Sequence, residues 1–362
     1  MIKGIDISSL LEMETSGQKY YHRHVLITDM FHFLKDQGIS SVRLRLWVDP
    51  YDMEGEPYLG GTCDLNRVLL MAKRLAKAGF TLLLDFHFSD FWTDPGKQTK
   101  PKAWKNFSFD ELNVALETYT EKTIRAFKDH AIKLSYIQVG NEITNGFLWP
   151  EGKLYNQNER IVGGYERMST LLKSAIKGIK KVDTEAKIIL HLERSGDQKI
   201  YREWFTNVIR NGVVFDIIGL SYYPFYHGSF ANLKRTIELC HHELHHPTLI
   251  VETGYVHTLC PAPGAKMVVK DYEDGYVPYP YSEKGQALFM GDLIKFIEEQ
   301  QILGFYYWEP LWLPAKNISW SSVSGREYIH EEEKSDGNEW SNHALFDYEG
   351  ESLLAWQEIK KG

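Results

Sequence analysis

Eight short runs rich in Val, Ile, Leu and aromatic residues, at 2–8, 41–48, 81–88, 134–140, 186–191, 216–222, 248–252 and 304–308, are separated by longer stretches of helical periodicity. Within 64–78, for example, Leu65, Val68, Leu69, Met71, Ala72, Leu75 and Ala76 fall on one helical stripe, and 109–130, 159–182 and 282–300 repeat the pattern. Several of the strand-like runs are apolar nearly throughout, which a strand tolerates when both of its faces are covered. Strand then helix, eight times over, predicts a (β/α)8 barrel. No Pro/Ser-rich linker or low-complexity stretch interrupts the series, so residues 1–362 are expected to form a single domain.

The connections are asymmetric. Those that follow strands, at 49–63, 89–106, 149–158 and 255–281, are long and rich in Trp, Asp, Gly and Pro, whereas those that precede strands, such as 36–39 and 77–80, are short. In such a barrel the long strand-to-helix loops build the working face. The aromatic share is 14%, and many Trp and Tyr residues lie in these loops; rings lining a groove suit the apolar C–H faces of sugars.

A net charge of −8 with no clustered Lys/Arg surface argues against a nucleic-acid partner, and no apolar run approaches the roughly 18 residues that span a bilayer. A soluble protein with a neutral ligand is expected. The N-terminus reads as a strand almost at once, without a charged segment followed by an apolar one, so if Met1 is the native start a cytoplasmic location is expected. Cys63, Cys240 and Cys260 show neither a CxxC spacing nor an even count, which predicts free thiols, no metal and no cofactor.

Two tracts carry the chemistry. Ile137-Gln138-Val139-Gly140-Asn141-Glu142 and Leu249-Ile250-Val251-Glu252-Thr253-Gly254 each lead a strand into a glutamate on the long-loop side. A pair of carboxyls converging on one cleft is the minimum equipment for cleaving a glycosidic bond. Glu142 is expected to be the acid/base, with the Asn141 amide donating to a sugar 2-hydroxyl, and Glu252 the nucleophile. A carboxyl separation of about 5 Å would mean retention, and roughly 6.5 Å or more inversion.

Around them, Val42-Arg43-Leu44-Arg45-Leu46-Trp47 alternates, so Arg43 and Arg45 share a face and require carboxylate partners if they point into the barrel. Arg45 is expected near the mouth, holding a catalytic glutamate ionised; Arg43 divides evenly between that role and structural pairing. Asp85 and His87 share a face at the end of the third strand, in a tract that runs on to Trp92, with His87 placed to bond a sugar or orient a carboxylate. Tyr223, after the sixth strand, offers a hydroxyl to the nucleophile. Trp308 offers a floor for the scissile sugar, and Trp312 follows in the same tract. One decoy stands apart: His242-Glu243-Leu244-His245-His246 matches the HExxH pattern of zinc proteases, but Pro247 follows at once and opens the seventh strand. That motif needs a continuing helix, so a solvated helix end is expected instead.

Taken together, Gly4-Ile5-Asp6-Ile7-Ser8-Ser9, 42–50, 85–98 (DFHFSDFWTDPGKQ), 138–145 (QVGNEITN), 219–224 (GLSYYP), 251–254 (VETG), 307–312 (YWEPLW) and 338–350 (NEWSNHALFDYEG) resemble the glycoside hydrolase family 53 endo-β-1,4-galactanases, in order and over essentially the whole chain. The resemblance implies a (β/α)8 barrel of a retaining clan that cuts β-1,4-galactan, with Glu142 on the acid/base and Glu252 on the nucleophile. The chain departs from the family at His191-Leu192-Glu193-Arg194-Ser195-Gly196-Asp197, where a small glycine-rich tract is usual, and this adds charge near the groove. Bacterial members can hold calcium on a DxDxHxN run; the corresponding Lys270-Asp271-Tyr272-Glu273-Asp274-Gly275-Tyr276 lacks the histidine and asparagine, so no calcium is expected. Without a signal peptide, imported galacto-oligosaccharides are the expected substrate. Two other readings stay open on the residues alone: a clan relative acting on mannan or glucan, and a non-catalytic sugar-binding barrel.

Overall fold

The structure, a computed structural model, describes residues 1–157, 159–262, 265–268, 276–331 and 337–362. Barrel strands β1 (Ile2–Asp6), β2 (Ser41–Leu46), β3 (Thr81–Phe86), β4 (Tyr136–Val139), β5 (Lys187–Leu192), β6 (Ile217–Tyr222), β7 (Thr248–Thr253) and β8 (Gly304–Trp308) are all parallel, and β1 pairs with both β2 and β8 to close the ring. All eight expected strands are present. Helices α1 (Met30–Asp36), α2 (Leu65–Lys77), α3 (Phe109–Asp129), α4 (Gly164–Lys180), α5 (Gln198–Arg210), α6 (Phe230–His242), α7 (Glu283–Glu299) and α8 (Ala355–Lys361) alternate with them.

Local chemistry fixes several helix starts. Asp64 accepts from the Asn66 and Arg67 amides to begin α2, and Ser108 forms a reciprocal capping box with Glu111 to begin α3. The helix expected over 159–182 starts later. Glu159–Arg160 instead pairs with Tyr155–Asn156 as a small antiparallel hairpin, and Gly163, at φ 73°, turns the chain before α4 begins at Gly164. Helical periodicity did not register that a left-handed glycine separates the hairpin from the helix.

Inside the amino-terminal half of the barrel, Leu83, Ile189, Ile217, Leu249, Val251 and Tyr306 pack as an apolar plug. Gly4 makes room for it, since a Cβ there would lie 2.4 Å from the Tyr306 ring. The outer faces of the strands join the larger core under the helices. Above the plug the interior turns polar, and that layer supports the mouth.

The decoy motif lies where a helix stops. α6 ends at His242, His245 is left-handed at φ 56°, Glu243 pairs with Arg202 at 2.8 Å, and His246 stacks on Phe215. The histidines therefore share no helical face. Among the described residues no cluster of three or more His, Cys, Asp or Glu is arranged to hold a metal, and no helix is long and apolar enough to cross a membrane. The tract weighed for calcium, 270–276, falls outside the described residues except for Tyr276.

Candidate active site

Glu142 and Glu252 line one cavity of about 960 Å³ at the carboxyl-terminal mouth of the barrel. Each arrives by a departure from regular backbone. Glu142 lies just beyond β4 with φ 50°, after Gly140 at φ 90°, so the chain turns sharply to carry its side chain over the opening. Glu252 is re-aimed by a β-bulge. β6 and β7 stay in step until Leu220 pairs with Ile250, after which Ser221 pairs with Glu252 and Val251 is skipped. Leu249 and Val251 already face the interior plug, so strict alternation would send the next side chain outward to the helices; the bulge turns it inward.

Arg43 is the hub beneath. Its guanidinium lies 2.7 Å from Glu252 Oε1, 2.7 Å from Asp85 and 2.8 Å from Asp6, and donates to the Asn141 side-chain oxygen at 3.0 Å. Asp6, Asp85 and Arg43 are fully buried, so these pairs are shielded from water. Tyr223 donates to Glu252 Oε2 at 3.3 Å. Glu142 has a different environment: Ser221 donates to its Oε1 at 2.6 Å and is itself linked to His191 Nε2 at 2.8 Å. His191, held neutral by burial, also contacts Gln138 and Asn141.

Burial raises both carboxyls. Glu142 is pushed well above the ordinary glutamate range, with Glu252 and then Glu193 adding repulsion. Glu252 is pushed up to about 7, Arg43 pulling it back while Asp85 and Asp6 repel it. The arrangement separates a neutral acid bonded by a hydroxyl from a carboxylate beside a guanidinium, a division of labour suited to acid and nucleophile.

Of the other expected site residues, His87, Trp92, Asn141, Tyr223 and Trp308 line the same cavity. His87 contacts Asp85 through Nε2 at 3.0 Å and Thr93 through Nδ1 at 2.9 Å, so it orients a carboxylate with both ring nitrogens engaged. Asn141 donates to the Thr93 carbonyl at 2.9 Å, which leaves its second amide hydrogen to a ligand. Three expectations are corrected. Arg45 is fully buried, pairs with Glu309 and reaches Asp6 at 3.6 Å, and lies 4.5 Å from the Trp92 ring; it braces an aromatic wall, and Arg43 takes the place assigned to it beside the glutamate. Asp85 is sealed beneath the cavity floor by Arg43, Gln138 and His87. Trp312 is fully buried behind Trp320, on which it stacks at 5.7 Å.

The wall is made by Trp92, Trp308, Trp320 and Trp340. Trp92 stacks on Trp320 at 4.7 Å, and Trp308 meets Trp340 edge to face at 4.7 Å. Sequence reasoning missed Ser221, His191, Trp320 and Trp340, whose roles depend on contacts between distant strand ends. The opposite side is built by Tyr155 and Gln157 of the hairpin, with Tyr165, Glu193, Arg194 and Trp204; Tyr155 is anchored by its hydroxyl to Glu203 at 2.8 Å.

A closed parallel barrel with two glutamates meeting in an aromatic-walled cavity at its mouth defines a glycoside hydrolase. The chain belongs to glycosyl hydrolase family 53, whose family model matches residues 2–359. It is 37% identical over 364 residues to an uncharacterized protein from the bgaB 5′ region of Niallia circulans, covering 100% of this chain and 94% of that protein. It is also 30% identical to the endo-β-1,4-galactanase of Bacillus subtilis strain 168, covering 98% of this chain and 84% of the relative. Among solved structures, the family 53 catalytic domain of Ignisphaera aggregans superposes with a TM-score of 0.89 at 34% identity, over 99% of this chain and 95% of that one.

Proposed function

We propose that the protein hydrolyses β-1,4-galactosidic bonds of galactan or its oligosaccharides by double displacement. The observation that carries the mechanism is the contrast between the two carboxyls: Glu252 lies 2.7 Å from Arg43, whereas Glu142 is bonded by the Ser221 hydroxyl. The sugar class follows from the relatives, of which the Bacillus subtilis protein is an endo-β-1,4-galactanase.

In the first step a Glu252 oxygen attacks the anomeric carbon while Glu142 gives its proton to the glycosidic oxygen. The leaving sugar departs with that proton, and a galactosyl ester of Glu252 remains. In the second step Glu142, now a carboxylate, takes a proton from water; the resulting hydroxide attacks the anomeric carbon and releases Glu252. Trp308 supplies an apolar face beside the reacting sugar, and Asn141 the spare amide hydrogen for its 2-hydroxyl.

Reducing-sugar release from galactan, mannan and cello-oligomers, followed by NMR of the first-formed anomer, tests this reading. Cleavage of galactan with initial β-product is expected. Preferential cleavage of mannan would overturn the sugar, and initial α-product the mechanism. A protein that binds galacto-oligomers but cleaves none would mark a binding barrel.

A further inference from the structure

Besides Glu142 and Glu252, the cavity is lined by Asp94, Glu193 and Glu203; of these Glu193 adds repulsion to Glu142 but shares no hydrogen bond with it or with Glu252. Glu193 is 6% exposed. Thr144, two residues beyond Glu142, donates to its Oε2 at 2.7 Å, while Oε1 is buried with no hydrogen-bond partner among the described residues. The tract that carries it is fixed on both sides: Tyr201 donates to the Leu192 carbonyl at 2.8 Å, and Ser195 donates to the Ser221 carbonyl at 2.6 Å. A rigidly held, buried oxygen with nothing bonded to it is an unsatisfied acceptor that a ligand hydroxyl can complete.

Its position says which hydroxyl. The departing sugar lies on the side of the group that protonates the glycosidic oxygen, and Glu193, just beyond β5 and bonded by Thr144, stands next to the β4 end that carries Glu142, whereas Glu252 belongs to β7, two strands further round. The four-tryptophan wall comes instead from the loop after β3, the end of β8 and the connection that follows it.

Resting on the reading of Glu142 as acid/base, we propose that Glu193 is a specificity-determining residue that binds a hydroxyl of the leaving-group sugar through its free Oε1. Arg194 lines the same stretch of cavity and places a cation beside that sugar.

The test compares two substrates cleaved at the same bond type. Galactotetraose expels a sugar with hydroxyls for Glu193; nitrophenyl β-galactobioside expels a nitrophenol that has none. Glu193→Ala should lower kcat/KM for galactotetraose roughly 10- to 100-fold, the range for a hydrogen bond to an ionisable group, and change the nitrophenyl substrate less than about threefold. Glu193→Gln preserves the shape and the bond from Thr144, and should recover part of the loss. Equal losses on both substrates, or no loss on either, would overturn the inference while leaving galactan cleavage standing. A native protein inert towards both would instead remove the parent reading, and this inference with it.

Discussion

The Arg43 guanidinium reaches Glu252 at 2.7 Å while Arg45, two residues along the same strand, is turned to Glu309. Both side chains point into the barrel because strand alternation puts them on one face. What separates them is height and lateral offset: Arg43 is ringed by Asp6, Asp85, Gln138, Asn141 and Glu252, whereas Arg45 lies among Trp47, Trp92, Trp308 and Trp312. The two cations therefore do different work, one beside Glu252 and one on the wall.

Replacing Arg43 by Met should unfold the site and abolish activity, since three buried carboxylates lose their partner at once; a loss of about 3–5 kcal/mol is expected from denaturant titration. Arg43→Lys is the informative variant. A single ammonium cannot span Asp6, Asp85 and Glu252 together, so Glu252 loses part of the interaction that lowers its pKa. The acid limb of the kcat/KM profile, where Glu252 must be ionised, should shift to higher pH. An unchanged acid limb in a folded Arg43→Lys protein would sink the assignment of Arg43 to the nucleophile.

Ser221→Ala acts on the other limb. Its hydroxyl bond favours ionised Glu142, so removing it leaves the acid protonated to higher pH. The alkaline limb should move upward, with the acid limb unchanged. A downward shift would show that Glu142 is not the group titrating there.

The barrel was legible because a strand buried on both faces and a helix with one apolar stripe leave different periodicities, as residues 81–86 and 65–77 display. That Glu142 and Glu252 meet at one cavity was legible because strand ends on the long-loop side are where such a barrel works. Other features were not encoded locally. From alternation, Glu252 should face the helices, and the bulge that reverses it is a property of the pairing between β6 and β7. Choosing Arg43 over Arg45 required knowing that Glu309, on the eighth strand's loop, would occupy Arg45. Trp320 and Trp340 lie in a long final connection whose sequence gives no sign of returning to the mouth.

Stability should oppose function at the two glutamates. Both have folded-state pKa values raised above the ordinary 4.5, so the native state holds these protons more tightly than the unfolded chain does. The stability linked to them is full below about 4.5 and is lost as pH rises through the raised folded-state values, about 7 for Glu252 and well above the ordinary glutamate range for Glu142. Glu142→Gln should therefore melt about 2–5 °C higher than the native protein at pH 8 and nearly the same at pH 4, by calorimetry. A lower melting temperature at pH 8 would contradict a raised pKa at this position.

Trp308→Ala should weaken substrate binding more than it harms the fold, because the ring lines the cavity while Trp340 and Trp320 remain to pack against each other's neighbours. KM for galacto-oligomers is expected to rise roughly tenfold or more, from the loss of an aromatic face under a sugar. An unchanged KM would place the scissile sugar elsewhere in the cavity.

Glu142→Ala separates the acid's two duties. With galactan the leaving sugar needs a proton, so cleavage should fall by about 10² to 10⁴. With dinitrophenyl β-galactobioside the leaving phenolate is stable without one, and formation of the Glu252 ester should proceed near the native rate. Turnover would then stall, because no base remains to activate water. Azide needs no base: it attacks the anomeric carbon of the ester directly, displaces the Glu252 carboxylate and yields a glycosyl azide. Two inversions in sequence give that product the β configuration, readable by NMR. An α-azide, or no rescue at all from a folded variant that still binds galactobiose, would show that Glu252 never forms the ester and that the two carboxyls act on water instead.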